Sequence, residues 1–445
     1  MALPIDSSSI SSTENKPKNY LFPLILVTSL FFLWGLANSL NGTLVKQFQI
    51  ALDLQRWQAN IVETAFYFGY FAMALPAGMV MRKFGYKMGI LFGLGLYAIG
   101  AFLFYPAADL RTYGFFLFAL FLIASGIAFL ETAANLYVTI LGDAKSGDFR
   151  LNLAQSFNGL SAILGPIIGS IFIFSSKEYS KDELAAMPME QAELIRNQAA
   201  QSVQHPYLMI GLIVSFIALL FALTKLPEVK INSSNASGSM SIRQLLKVKH
   251  LRLGILAQFL NIGAQVSLWG NFVDFKLDLA RKSNLAIVEK IYQITDQMSD
   301  VQIASYHASF AFILFMAGRF IGTYFMGKHD SNKVLTVFSV GALASVLICI
   351  LGSGIWAVVA LMMVYFFQSI MFPTIFALSC KNLGDNSKLA SSLLIMSIVG
   401  GSIIPPITAF LFKIGPSIAL FVPLICFIYI VYFAHKGYKI DESAS

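Results

Sequence analysis

Three of the 23 acidic residues in this 445-residue chain fall inside long apolar runs: Glu63, Glu131 and Asp274. Glu131 lies deepest, preceded by FFLFALFLIASGIAFL and followed by TAANLYVTIL. An ionised carboxylate in such a setting is costly, so protonation there is easy. That is what a proton-coupling site requires. The same residue can also serve as a protonated or paired brace between helices. Glu63 sits about two turns into its apolar run, on one helical face with Tyr67 and Tyr70. It either pairs with Arg56 near an interface or faces a cavity. Asp274, three residues after Asn271, reads as an interfacial charge.

Amides recur at helical spacing around these acids, which aligns them on single faces. Asn38 and Asn41 are i,i+3; Glu131 and Asn135 are i,i+4; Gln155 and Asn158 are i,i+3; Gln258, Asn261 and Gln265 are i, i+3, i+7. Amides hold membrane helices together. Four such faces beside a carboxylate exceed that need, and each amide both donates and accepts, which suits an uncharged polyhydroxylated ligand. Trp34, Tyr137, Phe157, Trp269 and Tyr365 lie close enough along the chain to pack on the C–H face of a sugar ring, or simply to pack in a core.

The elements that must position these groups follow from composition. Hydrophobic residues make up 57% of the chain and charged ones 12%, with a mean hydropathy of +0.71. So few charges cannot cover a water-soluble surface. The three cysteines all sit in apolar runs, which excludes a disulfide scaffold. Runs of about 20 apolar residues, the length that crosses a bilayer, predict helices over 20–45, 57–80, 87–105, 113–140, 150–175 and 206–225. Six more are expected over 252–275, 303–326, 333–352, 355–380, 388–412 and 416–434. The expected fold is an all-α membrane protein, twelve transmembrane helices in two pseudo-symmetric six-helix bundles. No Walker loop, HExxH or Cys/His metal spacing is present, so neither an enzyme, a cofactor nor a metal is expected.

The polar stretch 226–250 divides the chain, with a Ser/Asn/Gly-rich flexible centre and a short basic surface helix at RQLLKVK. The division expected is a tail at 1–19, bundles at 20–225 and 251–435, and a final tail at 436–445. A faint repeat supports it: the fourth and tenth spans end in ILGD and NLGD. Duplicated six-helix halves are a route to alternating access, with the substrate between them. With both termini cytoplasmic, 20 of the 31 Lys and Arg residues count as inner and 11 as outer, satisfying the positive-inside rule. The net charge of +8 therefore reports topology, and no nucleic-acid partner is expected. The outer loops 176–205 and 276–302 read as solvated surface helices.

With these residues in view, the chain resembles the fucose and glucose/galactose branch of the major facilitator superfamily. The resemblance rests on SLFFLWGLANSLNGTL (29–44), ETAFYFGYFAMALPAG (63–78), FLETAANLYVTILG (129–142), FRLNLAQSFN (149–158), LAQFLNIGAQ (256–265) and FPTIFALSCKNLG (372–384). It implies a proton-coupled monosaccharide symporter with the major facilitator fold, in a bacterial inner membrane, surrounded by lipid and working as a monomer. L-fucose or a related hexose is the substrate implied; glucose, galactose or an amino sugar are alternatives. Glu131 matches the family's fourth-helix acid, Gln155 and Asn158 its fifth-helix sugar-binding pair, and Asn38 and Asn41 its first-helix amides. One departure stands out. The family pattern ends its first-helix motif in Asn-Asp, the Asp being proton-linked, whereas this chain has Asn41-Gly42. Where the pattern has glutamine, this chain has Glu63, at a similar depth, which leads to the expectation that Glu63 takes over the missing acid's role. The lost acid also leaves a non-coupled facilitator as the second reading. The superfamily's loop signature is altered too, with Arg82 in place of the usual Asp.

Overall fold

The computed structural model describes residues 21–54, 58, 61–141, 143, 146–172, 183–184, 186–226, 240–281 and 300–440. The N-terminal tail 1–19, the centre of the linker, most of loop 276–302 and Arg56 lie outside the described residues. All regular structure among the described residues is helical. Ten helices among the described residues are long and apolar enough to cross a membrane. The longest, Ile61–Leu110, crosses twice: Gly85, at φ 84° and ψ 173°, breaks it into a second span at 61–84 and a third at 86–110. The fifth span, Gly147–Phe172, adds the last crossing. Twelve result, as the hydropathy pattern predicts.

In the first half the remaining spans are Leu21–Ala51 (first), Tyr113–Ile140 (fourth) and Gln204–Leu223 (sixth). In the second half, Lys249–Gly270 is the seventh, Asp300–Met326 the eighth and Ser331–Leu351 the ninth. The tenth is broken, Gly354–Gln368 followed by Met371–Cys380. The eleventh runs from Ser387–Met396 through a 3₁₀ turn to Gly400–Phe412, and the twelfth is built on Phe421–Tyr432. Asp274 is exposed in a separate short helix, Phe272–Arg281, just beyond the seventh span.

Helices in hydrocarbon gain nothing from hiding apolar surface from lipid, so they associate by close packing at small residues. The third and fourth spans meet at Gly93 and Gly126, where an added Cβ would lie 2.8 Å and 2.5 Å from the opposing carbonyls. One apolar core fills the first half and another the second. The first core also takes in Phe376, Ala377, Cys380 and Leu389–Ile398 of the tenth and eleventh spans. The halves are therefore packed together at the end where the linker lies. Toward the far end the second span leaves the eleventh, and no packed helix pair joins the first span to the second half among the described residues.

The linker end is tied by polar contacts. Arg82 donates to the Met240 carbonyl, and Lys87 Nζ donates to the carbonyls of Ala222 (2.7 Å) and Thr224 (2.9 Å). The expected surface helix shrinks to Ile242–Leu245, started by a capping box between Ser241 and Gln244. At the far end, loop 176–205 carries the helix Met189–Gln201, but it is docked rather than free. Gln47 Nε2 donates to Ala199 O (2.9 Å), Arg111 pairs with Glu193 (2.7 Å), and Ala192, Ala199 and Ala200 face inward.

Candidate functional site

Glu131 is buried in the fourth span, and the Tyr70 hydroxyl of the second span donates to its Oε1 at 2.9 Å. Asn38, exposed on the first span, interacts with the same phenol. One turn beyond Glu131, Asn135 Oδ1 accepts from Gln155 Nε2 of the fifth span at 3.0 Å. Both side chains are buried, and Asn135 Nδ2 has no partner among the described residues. Asn158, half-buried one turn along, donates to Phe31 O at 3.4 Å, tying the fifth span to the first. Gly35 permits that approach: a Cβ there would lie 1.9 Å from Ser161 Oγ and 2.7 Å from Asn158 Nδ2. Four helices thus bring Asn38, Tyr70, Glu131, Asn135, Gln155 and Asn158 into one polar region. Asn41 and Gly42 lie on the same helix as Asn38, but their side chains fall outside the described residues.

Glu63 occupies the first turn of the second span and is exposed. Tyr67, one turn on, interacts with it electrostatically and presses its hydroxyl against Gly401 of the eleventh span, where a Cβ would lie 2.9 Å away. Tyr70 follows. One face of the second span therefore runs from Glu63 at the far end to Glu131 in the interior.

The second half presents a different kind of surface. Gln258 and Asn261 are buried on the seventh span, with Gln265 half-buried one turn further. Gln258 Nε2 makes a long contact to Phe372 O at 3.5 Å; among the described residues its Oε1 has no partner and neither polar atom of Asn261 has one. The antiparallel tenth span supplies Gln368, which was not among the candidate site residues, and Tyr365, which was expected to pack on a sugar ring or in a core. Gln368 is 3% exposed with both amide atoms unpartnered. Tyr365, fully buried with an unpartnered hydroxyl, stacks on Trp269 at 5.6 Å and 19°. The contact from Gln258 to Phe372 sets the register, which carries Asn261 to the level of Gln368 and Trp269 to that of Tyr365. A glutamine inside VYFFQSIMFP was the available signal for Gln368. Of the other aromatics considered, Trp34 and Tyr137 are core residues packed on Phe31 and Tyr86, and Phe157 is exposed.

No side chain of the first-half group bonds a side chain of the second-half group among the described residues. The halves meet instead through backbone acceptors and small hydroxyls nearer the linker end. Ser391 Oγ donates to Thr132 O (2.7 Å), Asn152 Nδ2 contacts Thr374 Oγ1 (3.3 Å), and Arg319 of the eighth span donates to Gln155 O. Arg319 corrects the charge count made from sequence: it is buried inside a span, so nineteen inner basic residues remain, still well above 11. No cluster of metal-ligating side chains occurs among the described residues.

Comparison with known proteins bears on this arrangement. Residues 24–406 match the sequence profile of the Major Facilitator Superfamily. The chain is 40% identical over 433 residues to the L-fucose-proton symporter of Escherichia coli K12, covering 96% of this chain and 95% of that one. It is 37% identical over 425 residues to the putative glucose/galactose transporter of Helicobacter pylori, covering 94% and 97%. A crystal structure of the transporter FucP in the outward conformation superposes with a TM-score of 0.82 at 40% identity, covering 93% of this chain and 98% of the other. Twelve spans in two halves closed at the linker end, with a sequence alike throughout, make this chain a member of the Major Facilitator Superfamily.

Proposed function

We propose that the protein imports a neutral monosaccharide, L-fucose or a related hexose, by proton symport through alternating access. The observation that carries this reading is the buried Glu131, bonded by Tyr70 and set among amides on its own helix and two neighbouring ones. A carboxylate held there is neutralised by one proton, which removes the cost of moving a charge through the low-dielectric centre. Amides on both halves offer a sugar paired donors and acceptors. The names of the relatives, which concern fucose, glucose and galactose, support the substrate class.

In the proposed cycle the far end faces outward. Glu131 takes up a proton, Asn38, Asn41, Asn135, Gln155 and Asn158 engage the sugar from the first half, and Gln258, Asn261 and Gln265 engage it from the second. The linker end then opens, sugar and proton leave, and the empty carrier returns. Glu63 serves as a second acid, connected toward Glu131 by the Tyr67–Tyr70 face. The bundles are 20–225 and 251–435, with both termini cytoplasmic, the protein monomeric in a bacterial inner membrane. Uptake of a panel of labelled monosaccharides by transport-deficient cells tests this: one sugar should accumulate, and a protonophore should abolish the accumulation. Gly42, standing where the related pattern has an acid, favours one rival, a non-coupled facilitator. Symport makes the medium alkaline when sugar is added to energy-depleted cells; facilitation does not.

A further inference from the structure

Arg319 is a buried cation that the transport reading leaves without a task. It is 4% exposed, and among the described residues no carboxylate forms an ion pair with it. Its ligands are two backbone carbonyls and a ring. Nε donates to Ser369 O at 2.8 Å, Nη1 donates to Gln155 O at 2.5 Å, and the guanidinium lies 4.6 Å from the Phe315 ring centroid.

Each contact has a local cause. The Ser369 carbonyl would ordinarily accept from the amide four residues on, but that residue is Pro373, which has no N–H. The tenth span breaks there, between Gln368 and Met371, and the stranded acceptor is met by Arg319 Nε. This arm stays within the second half. The other arm crosses to the first half, and a glycine makes room for it. A Cβ at Gly159 would lie 2.3 Å from Met316 Sδ and 3.6 Å from Arg319 Nη1. The planar guanidinium presents these two donors from separate nitrogens in fixed directions, a reach and geometry that a compact ammonium does not reproduce.

We propose that Arg319 is the latch of the linker-end gate: a positioning residue that grips the fifth span at Gln155 and anchors it to the broken tenth span. The other named contacts across the halves at this level, Ser391 to Thr132 and Asn152 to Thr374, are between neutral groups. The Arg319 contact is charge-assisted and correspondingly stronger. Opening the linker end breaks the Nη1 bond and leaves the Nε bond intact, so the arginine swings out with the second half. Its grip is on the residue whose side chain holds Asn135, so release of the gate also frees the fifth-span sugar face; this last link alone rests on the proposed function.

The test reads gate opening without sugar or proton. Ser392 is buried where the eleventh span meets Gly78 of the second, at the closed end. Ser392→Cys is introduced with Cys349, Cys380 and Cys426 changed to Ala, and the purified full-length protein is labelled with N-ethylmaleimide. Arg319→Ala should raise the labelling rate about tenfold or more, the equilibrium share of one lost charge-assisted bond. Arg319→Lys should give a smaller increase. Wild-type labelling rates in both variants would overturn the latch. Should Arg319→Ala fail to fold, Arg319→Lys decides alone: faster labelling supports the latch and unchanged labelling refutes it. A labelling result that holds while every sugar fails to be transported would sink the proposed function and leave the latch standing.

Discussion

The bond between Gln155 and Asn135 separates a sugar site from helix glue. Replacing Gln155 by Leu removes the one partner of Asn135 Oδ1, and Asn135 Nδ2 has none already, so a fully buried amide is left with both ends unmet. Such stranding costs about 1–3 kcal/mol. Asn135→Leu does the same to Gln155 Nε2. In the double variant the two leucines face each other and neither penalty remains. Interhelical hydrogen bonds in bilayers are weak, which puts each single loss near the low end, about 1 kcal/mol; with little lost in the double variant, the stability cycle should show a coupling of about 2 kcal/mol. Sugar affinity should behave otherwise. Each variant turns a leucine toward a sugar hydroxyl, costing about 1–3 kcal/mol, or roughly 5- to 150-fold in Kd. The measurements are unfolding of the purified protein and counterflow in proteoliposomes, which needs no proton gradient. The double variant should recover stability but not counterflow. Counterflow at wild-type levels in the double variant would show that the two amides hold helices together and do not touch the sugar.

Glu131→Gln, neutral at every pH, should end accumulation against an imposed pH gradient while counterflow persists; accumulation at wild-type levels refutes its coupling role. Glu63→Gln should do the same if Glu63 replaces the acid missing at Gly42, and normal accumulation in that variant sinks the replacement. At the far end, Arg111 and then Arg196 hold Glu193 below the usual carboxylate range. Its contribution to docking the helix Met189–Gln201 is therefore constant at neutral pH and lost as pH falls through that lowered value, on the acid side of a free glutamate's own titration. A spin label at the exposed Leu194 should loosen only in that acid range, and mobility that changes near pH 6 instead would contradict the pairing. Gln368→Leu should stabilise the empty protein, because two unmet buried amide atoms disappear, and should abolish the extra stability conferred by sugar. A less stable variant that still gains from sugar contradicts that assignment.

Much of this was legible in the sequence, for reasons that are local. Span lengths follow from apolar runs, and the Gly85 break lies within the basic MRKFGYK turn. The amide faces were readable because helical spacing fixes which side chains share a side, and Glu131 because an acid in an apolar run is expensive. What stayed hidden depends on distant chain. Tyr70 is one of 17 tyrosines, and nothing local marks it as the donor to a residue 61 positions away. The role of Arg319 is hidden for the same reason: its partner across the halves is a backbone carbonyl 164 positions away, which has no sequence signature. The tenth-span break is in principle readable from Pro373, but a proline in a membrane helix is often absorbed without one. The docking of the helix Met189–Gln201 was missed for a similar reason: Gln47 and Arg111 look like ordinary loop-proximal polar residues until the far end of the first span is placed beside them.

The two polar surfaces differ in a way that bears on how a ligand could drive the cycle. In the first half Tyr70 serves Glu131 and Gln155 serves Asn135, so that side of the site is held in shape when empty. In the second half Asn261, Gln368 and the Tyr365 hydroxyl are buried with no bonding partner among the described residues. A buried polar group without a partner is destabilising until something supplies one. A sugar bound first to the ordered face gains little more from that face by further movement. It gains from the second half only if its hydroxyls reach those unmet groups, which requires the halves to approach at the far end. Differential affinity for two states is the sole means by which a ligand shifts a conformational equilibrium. In the proposed cycle the unmet amides and phenol provide that difference, and the Arg319 contact at the opposite end is the restraint the same movement would have to break.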